Sequence, residues 1–300
     1  MALIPFDDRD GLIWFDGVMV PWRAAKIHVL SHGLHYASAV FEGERAYAGN
    51  IFQLRAHTER LINSGRILGF DIPFSAEEID AACKAVVAAN GMVDAYIRPI
   101  AWRGAEQISV SAQASRIHLM VACWAGPNMF GNDRMQGVTL DIATWKRPHP
   151  ETAPTASKAS GLYMIGTLAK HAAEAAGFND ALMLDWRGQV AEATGANVFF
   201  VFDGEIHTPI PDCFLDGITR RAVMRLARQR QYTVVERVIV PEELALAQEV
   251  FLVGTAAEVT PVRQIAQHHY TPGEVTRTLL ADFEALVRKT PEDVAIALAA

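Results

Sequence analysis

Cysteine is scarce: the 300 residues hold three, Cys83, Cys123 and Cys213, an odd number at unrelated spacings. Neither a disulfide framework nor a zinc ribbon follows from that pattern, and a reducing, cytoplasmic setting is expected. Long apolar runs are missing as well, since none approaches the roughly 20 residues of a membrane span. The N-terminal MALIPFDDRDG lacks the basic-then-apolar order of a signal peptide, so secretion and membrane association are not expected. Positive charge is in deficit, with 27 Lys and Arg against 34 Asp and Glu and a net charge of −7. No nucleic-acid partner is therefore expected through a basic surface. The chain also lacks the GxxxxGK[ST] loop, the GxGxxG fingerprint and the GxSxG elbow, which removes three common routes to phosphate, dinucleotide and acyl chemistry.

What is present suits a globular protein with ample core: 51% of the residues are hydrophobic and 20% charged. The length predicts one large or two medium domains. Asp16-Gly17 and Gly49-Asn50 mark hairpins between apolar arms. The run HTERLINSGRILG reads as a helix, and SAEEIDAACKAVVAAN as a second one opened by a Ser75-x-x-Glu78 capping box. AYIRPIAWRG and RIHLMVACW are rich in β-formers. AGPNMFGNDRMQG, residues 125–137, concentrates Gly, Pro, Asn and Asp and reads as a linker between a first domain, 1–124, and a second, 138–300, with a cleft between them. In the second half GLYMIGTLAKHAAEAAG and ITRRAVMRLARQRQ read as helices. ALMLDW with QVAEA, and NVFFVFDGEIHTP, read as hairpins, and VGTAAEVTP as a strand leading into a helix start. Strands and helices interleave without a steady βαβ rhythm, so a two-domain α+β fold is expected.

The chemistry concentrates in residues 155–200. Of only six lysines, Lys158 stands among Ala156, Ser157, Ala159, Ser160 and Gly161, small residues that leave room for a flat ring beside the backbone. A carboxylate, Glu192, follows in QVAEATGANVFF. An amine able to form a Schiff base and an anion able to keep a pyridine nitrogen protonated are what a pyridoxal phosphate enzyme needs. The bland alternative for Lys158 is a loop lysine before a helix. Two glycine-led stretches offer backbone N–H groups to the cofactor phosphate, LDGITRR with Gly217, Ile218 and Thr219, and VGTAAEVTP with Gly254 and Thr255. A metal site is not expected: HVLSHGLH spaces His28, His32 and His35 for one helix face, yet no Cys, Asp or Glu ligand lies within the run, which reads equally as extended chain.

Taken in order, IWFDGVMVPW, HVLSHGLHYASAVFEGERAY, AYIRP, the Lys158 loop, AEATGANVFF, LDGITR and VGTAAEVTPV resemble the class IV (fold type IV) pyridoxal phosphate enzymes, and within them the branched-chain amino acid aminotransferases. The resemblance runs over nearly the whole chain. It implies a smaller N-terminal α/β domain and a larger C-terminal domain with the cofactor between them. By matching positions it implies Lys158 as the Schiff-base lysine, Glu192 as partner of the ring nitrogen and Tyr163 as partner of the ring hydroxyl. Arg55 matches a phosphate-binding arginine, with Ile218, Thr219 and Thr255 completing the cradle. Tyr36, Phe41, Arg45 and Arg98 match substrate-pocket positions, and the Thr255-Ala256 backbone a site for the substrate α-carboxylate. Three departures are visible: Glu44 where an apolar residue is frequent, Ala37-Ser38 where Gly and Thr are, and Met129-Phe130 where a tyrosine is common. All three are expected at or near the pocket.

The resemblance thus implies transamination of leucine, isoleucine and valine with 2-oxoglutarate, by a homodimer or higher homo-oligomer in which a neighbouring subunit closes the active site. Rival readings are a D-amino acid or (R)-selective amine transaminase, an aminodeoxychorismate lyase, and a pyridoxal phosphate carrier without turnover.

Overall fold

The Asp16-Gly17 turn folds LIWF onto VMVP and starts a sheet whose remaining strands come from well downstream. The structure is a computed structural model that describes residues 4–126 and 134–299. The chain forms two compact units, Met1–Pro127 with Ser157–Gly161, and Asn128–Ala156 with Leu162–Ala300. Most of the linker proposed from sequence, Met129 and Phe130 included, lies outside the described residues. Lys158, on the second-domain side of the sequence boundary, packs with the first unit.

In the first unit the strands are β1 (Leu12–Phe15), β2 (Val18–Pro21), β3 (Ala39–Phe41), β4 (Glu44–Tyr47), β5 (Asn50–Ile51), β6 (Ala95–Arg103) and β7 (Ile117–Trp124). They form one antiparallel sheet in the order β2-β1-β7-β6-β4-β5, with β3 also on β6. A short helix, α1 (His32–Tyr36), precedes β3. Helices α2 (Leu54–Ile67) and α3 (Ala76–Ala89) cover one sheet face. The expected capping box opens α3: Ser75 Oγ accepts from Glu78 N at 3.2 Å, and Glu78 Oε2 from Ser75 N at 2.7 Å. Leu61, Ile79, Cys83 and Val86 of the helices bury against Val40, Ala46, Ile97 and Val121 of the sheet. Because side chains alternate along a strand, the pairing of Arg45 with Tyr96 puts both on the other face together with Arg98. Glu44, which pairs with Ile97, points into the helix layer. The expectation that Glu44 lines the pocket is thereby corrected: strand alternation turns it away from Arg45 and Arg98.

The second unit is built on β8 (Val138–Ile142), β9 (Asp180–Leu184), β10 (Val190–Ala193), β11 (Asn197–Phe202), β12 (Glu205–Thr208), β13 (Val234–Glu236), β14 (Glu249–Gly254), β15 (Glu258–Ile265) and β16 (His268–His269). Their order is β10-β9-β8-β15-β14-β11-β12-β13, with β16 on β15, and the sheet is mixed, since β8 runs parallel to β9 and β15, and β12 to β13. Helix α4 (Met164–Ala175) packs on β9, while α5 (Ile218–Gln229) and α6 (Glu274–Val287) pack on β14 and α6 also on β15; α7 (Pro291–Ala299) follows. Central strands buried on both faces read as unbroken apolar runs. Accordingly Val198, Phe200, Val250 and Leu252 join one core cluster, while the alternate Phe199 and Phe251 stack at 5.1 Å. Buried Glu249 satisfies the start of α6, accepting from Thr276 N at 2.9 Å and Thr276 Oγ1 at 2.6 Å. Among the described residues no helix is long and apolar enough to cross a membrane.

The helix start read at Gly254-Thr255 is corrected by the structure. Residues 255–257 make a tight turn and EVTPVRQI continues as β15, paired back on β14 from Gly254↔Glu258 onward. The apolar alternation of Val259 and Pro261, and the close strand pairing it permits, outweigh the capping potential of Thr255.

Helix α5 is pinned at its first turn by Arg220, 1% exposed, whose guanidinium donates to Asp216 Oδ1 (2.9 Å), Glu236 Oε2 (2.8 Å) and Pro209 O (3.1 Å). Arg220→Met keeps the buried stem and loses these hydrogen bonds together with the one from Nε to Thr208 Oγ1. Its expected cost is about 2–4 kcal/mol, since a buried donor set is removed while both carboxylates stay near solvent. The midpoint of urea unfolding checks this.

Candidate active site

Glu192 owes its direction to a bulge: the β10–β9 register slips between Val190 and Glu192, which re-aims the side chain. Its carboxylate is almost buried, and two groups of the second unit hold it. Arg147 Nε lies 3.4 Å from Glu192 Oε1, an ion pair without the alignment of a hydrogen bond. Asn197 Nδ2 lies 3.4 Å from Glu192 Oε2 and donates to Leu215 O at 3.1 Å. The Asn197 amide thus spans from Glu192 to the segment that leads into α5. There Gly217 is indispensable, because a Cβ on it would meet Asn197 Oδ1 at 2.2 Å.

Helix α5 begins immediately after, with Gly217 as its N-cap, no side-chain cap and no acidic residue in its first turn. The N–H groups of Ile218 and Thr219 have no intrahelical partner, and the macrodipole adds partial positive charge. The 254–257 turn lies beside the loop after Glu192: a Cβ on Gly254 would stand 3.5 Å from Gly195 O. That loop is fixed from below, where Thr194 Oγ1 donates to Asp180 Oδ1 at 2.6 Å. Burial pushes the Asp180 carboxyl up, against the hydrogen bonds from Thr194 and Ala181. Tyr163 forms the N-cap of α4, half-buried.

In the first unit the lysine loop is clamped to α2 and β3. Lys158 N donates to Ser64 Oγ at 3.0 Å, Ser157 Oγ to Ser64 O at 3.0 Å, and Phe41 N to Lys158 O at 3.1 Å. Lys158 Nζ stands 4.9 Å from the centre of the Phe41 ring, and the Arg98 guanidinium lies 4.8 Å from the same ring. Arg98 also neighbours Tyr96 and Trp124, donates to Tyr96 Oη at 3.0 Å, and leaves a buried Nε without a hydrogen-bond partner among the described residues. Gly43 permits this, since a Cβ there would meet Tyr96 Oη at 2.1 Å. Lys158, Phe41 and Arg98 are therefore brought together, with Arg45 on the same sheet face. Tyr36 is not: it is 46% exposed, stacks on His32 and reaches Ile108 O at 3.4 Å. Ala37 adopts a left-handed conformation with φ 55°.

Arg55 is placed differently from the expectation. It pairs with Glu77 at 2.8 Å and Asp80 at 2.9 Å, both on α3. Nine residues at 3.6 per turn set it on the face of α2 opposite Ser64, so it does not face the lysine loop. The arginine one turn before Ser64 on that face is Arg60. It makes a bidentate pair with buried Glu42, at 2.6 and 2.8 Å, and His57 Nδ1 shares Glu42 Oε2 at 2.7 Å. Burial alone would raise the Glu42 carboxyl; the charge and hydrogen bonds of Arg60, with His57, hold it well below the usual carboxylate range instead. Burial pushes the His57 imidazole down, against the pull of Glu42. Arg147, Asn197, Glu42 and Arg60 escaped the sequence reading. Only Arg60 carried a signal, the His57-x-x-Arg60-x-x-x-Ser64 spacing of one helix face.

The three histidines of HVLSHGLH are spent separately on backbone groups, at Leu30 N, Ser109 O and Val29 O. Among the described residues Asp185, Asp212 and Cys213 come within ligating reach of one another, but Arg187 Nη2 already bridges both carboxylates at 2.6 and 2.7 Å.

Residues 39–265 match the family model described as amino-transferase class IV. The branched-chain-amino-acid aminotransferase of Pseudomonas aeruginosa is 41% identical over 263 residues, 86% of each chain. Among solved structures, the branched-chain aminotransferase of Thermoproteus uzoniensis with norvaline superposes with a TM-score of 0.91 at 35% identity, covering 96% of this chain and 98% of that one. The T.th. branched-chain amino acid aminotransferase complexed with N-(5'-phosphopyridoxyl)-L-glutamate gives 0.89 at 40% identity, over 95% and 96%.

Gly217→Ala is expected to push the Asn197 amide off Gly217 and disturb the first turn of α5. Affinity for inorganic phosphate, measured by calorimetry, should fall roughly tenfold, about 1.4 kcal/mol, with the circular dichroism unchanged.

Proposed function

Because the chain belongs to the class IV aminotransferase family, we propose that it transfers the amino group of leucine, isoleucine and valine to 2-oxoglutarate, with pyridoxal 5'-phosphate as cofactor. The cofactor, when bound, supplies an aldehyde for the amino group and an electron-withdrawing ring. The residues present fit it: an uncapped helix start after Gly217, and a carboxylate held by a buried arginine. Lys158 would supply the amine that holds the cofactor's aldehyde and would move the proton at the substrate Cα. Glu192, beside Arg147, would hold a proton on the pyridine nitrogen. Tyr163 orients the ring hydroxyl. The N–H groups of Ile218 and Thr219 and the Thr255 turn receive the phosphate, and the Thr255-Ala256 backbone the substrate carboxylate. Arg60 takes the phosphate role expected of Arg55.

One observation carries the substrate reading. Arg98 sets a cation, its Nε unpaired among the described residues, between the rings of Phe41, Tyr96 and Trp124. Rings receive an aliphatic side chain, whereas a carboxylate that leaves water must be paired. Such a wall accepts both leucine and glutamate, with Arg45 close by on the same sheet face.

A homo-oligomer, dimer or larger, is supported by the exposed Val29, Leu30, Leu34, Tyr36 and Val110, apolar residues left to solvent in two short segments. Buried cysteines, none of them in a disulfide, support a cytoplasmic setting.

A panel of L- and D-amino donors with 2-oxoglutarate, scored by glutamate formed, should rank L-leucine, L-isoleucine and L-valine highest. A D-amino acid or an (R)-amine at the top would transfer the chain to that rival. Arg98→Met should keep most of the single-turnover reaction with leucine and lose roughly 2–5 kcal/mol with glutamate; equal losses would assign Arg98 to the shared α-carboxylate.

Arg60→Lys, which keeps a charge against Glu42, should weaken cofactor binding by about 10- to 100-fold, because the fork by which Glu42 orients the cation is lost. Arg55→Met should leave it unchanged. Equilibrium dialysis of the cofactor checks both, and the reverse order would restore Arg55.

A further inference from the structure

Glu44 is fully buried on the helix side of the first unit's sheet, one residue beyond the Gly43 that seats Tyr96. A buried carboxylate keeps its charge only with strong donors around it, and Glu44 has almost none. Cys83 of α3 offers a thiol at 3.9 Å from Oε1, and Oε2 has no hydrogen-bond partner among the described residues. The carboxylates nearby oppose a charge on it. Glu42, across the turn, and Asp80, on α3, are carboxylates that repel a second anion. Arg60 of α2 favours the charged form only through space, because it is committed in bidentate fashion to Glu42, which His57 also bonds.

We propose that Glu44 is a neutral carboxylic acid at neutral pH and a proton-linked strut between the sheet and α3, by which this unit loses stability as pH rises. Two buried glutamates flanking one glycine are thus driven to opposite protonation states, Glu42 charged and Glu44 not. Burial, then the Glu42 charge, raises the Glu44 carboxyl well above its ordinary value. A group with a raised folded-state pKa gives stability that is fully present below its unfolded pKa, about 4.3, and lost as pH climbs toward its folded value. Buried His57 acts with the opposite sign, because its lowered pKa removes stability as pH falls. Wild type alone therefore mixes the two, and the difference from a Glu44 variant isolates one. Burial also pushes the Cys83 thiol up, so the comparison stays below the thiol range.

The experiment is thermal unfolding of the full-length holoenzyme between pH 5 and 8, for wild type, Glu44→Gln and Glu44→Leu. Both variants should gain on wild type as pH rises, by roughly 2–5 °C in Tm per pH unit, while remaining closest to it at pH 5. The leucine variant keeps the test alive should glutamine fail to fold. At pH 7 the infrared difference between wild type and a folded variant should contain a protonated-carboxyl stretch. Parallel Tm profiles across the range, or a difference spectrum with only carboxylate bands, would overturn the proposal.

Discussion

One carboxamide, Asn197, holds the second unit's chemistry in register. Its nitrogen lies toward Glu192 and binds Leu215 O, and its oxygen fills the space that a side chain at 217 would need. The anion proposed for the ring nitrogen and the helix start proposed for the phosphate are therefore set by a single planar group on one strand. Such coupling matters because electrostatic stabilisation acts through fixed positions, not through flexible ones that must reorganise. Arg147 completes the frame by placing a nearly buried cation beside Glu192.

The first unit solves a different problem, that of fixing a lysine on a short loop by its backbone. Three backbone and hydroxyl bonds fix Ser157 and Lys158 to Ser64 and Phe41, while the long side chain stands over a ring. The sheet divides the labour between its faces. Phe41, Arg45, Tyr96 and Arg98 share one, and the other buries the Glu42, His57, Arg60 and Glu44 cluster under α2 and α3. Alternation along β4 is enough to send adjacent Glu44 and Arg45 to these opposite environments.

Much of this was legible because it is local. The Asp16-Gly17 hairpin, the Ser75 capping box and the α5 start at Gly217-Ile218 are written in neighbouring residues, and Lys158 stands out among its small neighbours. The class IV resemblance carried the fold and the family. What escaped depends on distant partners. Choosing Arg60 over Arg55 requires knowing that Ser64 grips a residue 94 positions later. Arg147 and Asn197 acquire their roles only when β10 and β11 are in register beside the loop before α4. Thr255 looked like a helix cap because its own stretch permits one, and only the pairing of β14 with β15 decides otherwise. Glu44 was misplaced for a similar reason: its motif sits next to pocket residues, but its strand position reverses the direction.

The lysine loop belongs to the first unit although it is encoded within the second, and this has a consequence for how the molecule comes into being. A ribosome that has finished residue 127 has not yet made Ser157–Gly161. The first unit must wait, with Ser64 and Val40 unclaimed, until part of the second has been synthesised. Folding domain by domain in chain order is unavailable to it, and a cut at 127 would yield a fragment without its lysine. The chain's two folding problems are thus interlaced in time by five residues.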